Sequence, residues 1–187
     1  MILVIGTPDS GKSSYAEALA LEVFGEEKRA YIATMIPFGE EGQERIKKHR
    51  RMREGKGFIT LEWPDDIAGK ITENGIDFKK SIVLLECVSN LIGNEMHSEE
   101  NQNLDSLHLT TKIVDAVRLL GDKAQNLVVV TNEFPIDDEE YDADTKAYVR
   151  LVATVNERLI SWADEVYTYD GEWHRDNTKE NSNHGTD

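Results

Sequence analysis

The chain has 187 residues, 39% of them apolar and 30% charged, enough for one domain with a sizeable hydrophobic core. Its 36 acidic residues outnumber 21 basic ones for a net charge of −15, which argues against nucleic acid as the main partner. The single cysteine (Cys87) allows no intrachain disulfide, no run of 18 apolar residues offers a membrane span, and the opening MILVIG lacks the basic leader of a signal peptide, so a cytoplasmic protein is expected.

The apolar opening, 1–6, reads as a strand, and 12–24 has helical spacing. AYIAT (30–34) reads as a second strand, with a helical pattern over about 40–54, and FITLEW (58–63) fits an edge strand. SIVLLE (81–86) and NLVVVTN (126–132) are apolar at consecutive positions, the pattern of strands covered on both faces. Helical spacing returns at 104–120 and 144–163, where Val149, Val152, Leu159, Ile160 and Ala163 follow an approximate i, i+3, i+7 rhythm. EVYTYD (165–170) is the last predicted strand. Residues 171–187 are polar and rich in turn formers, and read as a flexible tail beyond a 1–170 domain. Strand and helix alternate without an internal repeat. A three-layer α/β fold with a mostly parallel central sheet follows.

GTPDSGKSS (6–14) matches G-x-x-x-x-G-K-[ST] between a predicted strand and a predicted helix, the context this phosphate-binding loop requires. Gly6 and Gly11 let the backbone wrap a phosphate closely. Thr7, Pro8, Asp9, Ser10 and Ser14 complete the cradle, whose amides and helix N-terminus face the anion. Lys12 would reach the β- and γ-phosphates of ATP or GTP, and Ser13 would ligate Mg²⁺. Glu86, the carboxylate ending SIVLLE, is the second candidate Mg²⁺ ligand, since ligands of α/β sheets gather at the carboxyl ends of strands. A strand-end glutamate facing solvent is the alternative reading. Cys87 is most simply a small core residue.

QERIKKHRRMREGKG (43–57) holds seven Lys or Arg around a lone histidine, His49. Residues 44–56 sum to +5, so the rest of the chain sums to −20. A local patch of this kind suits a small anionic ligand. On a helix, Arg45, Lys48 and Arg53 share or border the face of His49. On the residues alone, a solvated basic helix with an incidental histidine is an equal reading.

Together these stretches resemble a known family, the adenosylcobinamide kinase/adenosylcobinamide-phosphate guanylyltransferases. MILVIGTPDSGKSSYAEALA resembles its opening, and YIAT (31–34) with ERIKKHRRMR (44–53) its second signature. IVLLECVSNLIGNEM (82–96), VVVTNE (128–133) and VNERLISWADEV (155–166) are similar to the remaining three. The resemblance implies a P-loop NTPase-like fold and a two-step enzyme of cobalamin biosynthesis. The first step phosphorylates the aminopropanol hydroxyl of adenosylcobinamide. The second transfers GMP from GTP through a GMP–histidine intermediate, and the histidine matches His49. A homo-oligomer, a trimer in the family, is also implied. Cations beside His49 would disfavour the imidazolium and keep it nucleophilic, while Arg45, Lys48, Arg50, Arg51 and Arg53 could neutralise the triphosphate and the leaving pyrophosphate.

Two regions depart from the family pattern. After TNE a glycine-rich stretch ending in Val-Pro is usual, but this chain reads FPIDDEEYDADTK, and an Arg-Asp pair is replaced by Val149-Arg150. The last strand runs into YTYDGEW instead of an apolar, glycine-containing segment. These departures leave two further readings open: a P-loop kinase for another small metabolite, and a catalytically impaired nucleotide-binding paralogue.

Overall fold

Among the described residues, seven short runs become strands: β1 (Ile2–Gly6), β2 (Lys28–Ala33), β3 (Phe58–Glu62), β4 (Ser81–Glu86), β5 (Asn126–Asn132), β6 (Glu165–Tyr169) and β7 (Trp173–Arg175). The computed structural model describes residues 1–22, 28–75, 77–136 and 138–176. All the strands lie in one sheet, ordered β3-β2-β4-β5-β1-β6-β7, and every pairing is parallel except β6 with β7. The helices are α1 (Lys12–Glu22), α2 (Gly39–Arg53), α3 (Ile67–Glu73), α4 (Val88–Met96), α5 (Ser106–Lys123) and α6 (Ala143–Trp162).

The continuous apolar runs of β1, β4 and β5 are explained by burial on both faces. Leu3, Ile5, Val83, Leu85, Leu127 and Val129 pack with Val88, Ile113, Val117, Val152, Val155 and Leu159, on the side of α4, α5 and α6. Their neighbours Ile2, Val4, Ile82, Leu84, Val128 and Val130 pack with Ala16 and Ala20 of α1 and with Tyr31. This is the expected three-layer α/β architecture. Asp105 and Asp142 cap α5 and α6 by accepting from the amides of His108 and Thr145, and these bonds hold both carboxyls below the usual carboxylate range. FPIDDEEYDADTK thus supplies the start of α6.

Two helices and one strand go beyond the sequence reading. α3 and α4 span seven and nine residues, too short for a periodic signal to stand out. The expected tail is corrected at its start: Trp173–Arg175 pair antiparallel with β6, and Trp173 stacks on Tyr15 with ring centroids 4.4 Å apart and planes 8° apart. This polar segment is held by its ladder with β6, by the Arg175–Glu165 pair and by the Trp173 ring. The remainder of that expectation, 177–187, lies outside the described residues.

α2 differs from the other long helices. Of its 15 residues only Gly42 and Arg53 are buried, so almost no apolar surface fastens it to the sheet. Among the described residues, no helix is long and apolar enough to cross a membrane.

Candidate functional site

The carboxyl ends of β1, β2, β4 and β5 open into one cleft of about 1010 Å³, roofed by α2. Its floor is the loop between β1 and α1. Gly6 is there for space, since a Cβ would sit 2.4 Å from Ser10 Oγ and 3.1 Å from the Trp173 ring. Gly11 is there for conformation: its φ is +77°, with nothing within 4 Å of a Cβ. Asp9 also has a left-handed φ, 66°, and such alternation turns successive amides toward one point. Lys12 lines the cleft, its ammonium donating to Thr7 O at 3.1 Å, and burial lowers its pKa below the ordinary lysine value. Burial of a cation without a full partner is what a polyphosphate would relieve.

Glu86 ends β4 and is 8% exposed. Its Oε1 accepts from Ser13, and its Oε2 accepts from the Tyr31 hydroxyl at 2.8 Å. His49 Nδ1 stands 3.4 Å from Oε1. The hydroxyl and carboxylate expected to face magnesium are therefore in contact. Hard oxygen donors of this kind fit Mg²⁺, whose remaining positions phosphates and water would fill. Among the described residues no group of three or more His, Cys, Asp or Glu could hold a metal unaided.

The other quoted signatures acquire structural reasons. In YIAT, Tyr31 reaches Glu86, while Thr34 Oγ1 donates to Cys87 O (2.8 Å) and accepts from Cys87 N (2.7 Å), tying the ends of β2 and β4 together. In VVVTNE, the Glu133 amide donates to Gly6 O at 3.1 Å. Thr131 donates to Asn156 Oδ1, and Asn156 Nδ2 donates to Asn132 O, so the TNE and VNERL segments meet beneath the loop. Cys87 is buried, which pushes its thiol pKa up, in keeping with the core role read from sequence.

Arg45, Lys48, His49, Arg50, Arg51 and Arg53 all line the cleft, so one local patch does face one site. Two of these cations are engaged. Arg50 pairs with Glu62, and Arg53, 7% exposed, lays its guanidinium 3.4 Å from the centroid of the Tyr31 ring. Arg53 Nε is buried without a hydrogen-bond partner. Arg45 is 3.9 Å from Glu41, a weak exposed pair.

Sequence reasoning did not single out Tyr31, Asn90, Asn132, Phe134 or Tyr148, which also line the cleft. Tyr31 was signalled by its alternation with Ile32 on β2, which turns it to the α1 and α2 side of the sheet. Phe134 packs on Tyr148 at 5.8 Å, and Tyr148 OH donates to Ser89 O at 3.1 Å, its pKa pushed up to about 12 mainly by burial. The departure after TNE thus begins with an aromatic cleft wall.

Residues 2–171 match the family described as Cobinamide kinase / cobinamide phosphate guanyltransferase. The chain belongs to this family. It is 29% identical over 176 residues to the Bifunctional adenosylcobalamin biosynthesis protein CobU of Salmonella typhimurium, a similarity covering 89% of this chain and 93% of the relative. Its identity to the Escherichia coli K12 protein of the same name is 27% over 179 residues, with the same coverage. Among solved structures the fold is similar to an ATPase domain, with a TM-score of 0.52 at 11% identity, covering 91% of this chain and 71% of that one. That likeness is one of fold, and it agrees with the P-loop type of architecture.

Proposed function

We propose that this family member phosphorylates adenosylcobinamide with a nucleoside triphosphate and then transfers GMP from GTP to the new phosphate through a GMP adduct of His49. The observation carrying it is the single carboxylate of Glu86 shared by the P-loop hydroxyl of Ser13 and by His49 at 3.4 Å. His49 thus faces the same carboxylate that the phosphate-loop hydroxyl contacts, which supports a role for it in the nucleotide site. The P-loop amides and Lys12 hold the β- and γ-phosphates, and Arg45, Lys48 and Arg51 supply charge for the departing pyrophosphate. Magnesium, held by Ser13 and Glu86, would neutralise phosphate charge when bound. The imidazole of His49 attacks the α-phosphorus, giving a two-step transfer in place of one difficult displacement.

A kinase acting on another alcohol is the second reading, favoured by Phe134 on the cleft wall where the family is usually glycine-rich. Incubation with adenosylcobinamide, ATP and GTP, followed by mass spectrometry, separates the two. The proposal predicts both the phosphate and the GDP ester of cobinamide. Neither product, with ATP turnover on a different alcohol, would favour the second reading.

A further inference from the structure

We propose that Glu86, held in place by Tyr31, directs guanylyl transfer to Nε2 of His49, making both residues positioning residues for that step. This rests on the function proposed above. The two carboxylate oxygens of Glu86 have different duties. Oε2 is tied to the Tyr31 hydroxyl at 2.8 Å, so rotating the carboxylate would break a buried hydrogen bond. Tyr31 is itself fixed, 4% exposed and covered by the Arg53 guanidinium at 3.4 Å. A carboxylate only accepts, so the phenol is the donor of that bond. Oε1 is thereby aimed at Ser13 and at His49 Nδ1, 3.4 Å away. A shift of about half an ångström makes that a normal N–H···O bond, and such bonds tighten when substrate is bound.

The regiochemistry follows from the donor and acceptor inventory. A carboxylate only accepts, so the nitrogen facing it carries the proton. A neutral imidazole has one N–H, which leaves the lone pair on Nε2. That lone pair forms the bond to the α-phosphorus of GTP. The bond from this phosphorus to the bridging oxygen breaks, and pyrophosphate leaves with the electron pair. The ring is then an imidazolium bearing phosphorus on Nε2 and a proton on Nδ1, the nitrogen that faces Glu86 Oε1. A phosphate oxygen of the acceptor next attacks the phosphorus, and the P–N pair returns to Nε2. Attack from Nδ1 would instead bring the phosphoryl oxygens against the fixed carboxylate.

The test uses full-length protein with ¹⁵N-histidine, loaded with Mg²⁺ and GTP and quenched in alkali. Nitrogen–phosphorus correlation NMR distinguishes the two phosphoramidates. An Nε2 adduct is expected. An Nδ1 adduct overturns this proposal and leaves the guanylyltransferase reading standing, whereas no adduct overturns both. Tyr31→Phe keeps the ring beneath Arg53 and removes only the hydroxyl, so far-ultraviolet dichroism should be unchanged. Its labelling rate should fall by about tenfold, the lower end of the usual cost of losing an orienting partner, with part of the adduct on Nδ1. A Tyr31→Phe rate and regiochemistry equal to those of the parent protein would remove Tyr31 from the proposal.

Discussion

Replacing Arg53 by methionine isolates what fastens α2, and with it His49, to the sheet. The helix buries only Gly42 and Arg53, and the guanidinium lies 3.4 Å from the centre of the Tyr31 ring. Methionine retains an apolar stem and good helix propensity, so the change removes chiefly the charge over the ring. A desolvated cation–π contact contributes about 2 kcal/mol. At about 1.4 kcal/mol per factor of ten, the docked-to-undocked ratio of α2 should fall about 30-fold. Amide hydrogen exchange over residues 43–53 reads that ratio directly, since local opening is reported element by element. The expected result is about 30-fold faster exchange in α2, with β4 and β5 unchanged. Histidine guanylylation should slow only as far as the docked fraction itself falls, which is little while α2 remains mostly docked. Unaltered exchange in α2 would refute the argument, as would equal acceleration in the central strands, which would make Arg53 a support of the whole fold.

Lys12 gives a pH signature. Burial lowers its pKa below 10.5 in the free protein, and a bound polyphosphate favours the charged form, raising it again. The complex therefore holds more protons than the free protein in the window below 10.5, so GTP affinity should fall as pH rises through it. Calorimetry in buffers of different ionisation enthalpy should detect proton uptake there, and Lys12→Met should abolish it; pH-independent binding up to 10.5 would contradict this. At the other end of the chain, Trp173→Ala removes a parallel stack on Tyr15 worth about 1 kcal/mol. For a domain of this size the melting temperature should drop by roughly 2–4 °C, and a calorimetric scan showing no change would mean that β7 is not docked in solution.

Much of the fold could be read because β1, β4 and β5 need apolar residues on both faces, which leaves an unmistakable run. The loop 6–14 was equally legible, since its geometry demands Gly6 and Gly11 at fixed positions. α3 and α4 were not, being too short for periodicity. β7 was hidden because it is three residues long and has one apolar side chain, Trp173, in a polar context. Within the site, the basic run around His49 announced an anion, but not the division of labour inside it. Helical spacing puts Arg53 beside His49 as though it were another phosphate ligand, while the structure turns it onto Tyr31. That assignment depends on a strand from a separate part of the chain, and no local pattern encodes it. Tyr31 itself reads as one more strand residue until Glu86 is placed opposite its hydroxyl.

The most direct test of the proposed chemistry is covalent labelling by α-³²P GTP with Mg²⁺, followed by denaturing electrophoresis and peptide mapping. The account predicts acid-labile, alkali-stable label on the peptide carrying His49, and its loss in His49→Asn while phosphorylation of the acceptor by ATP persists. Label on any other residue, or none while the kinase step proceeds, would contradict it.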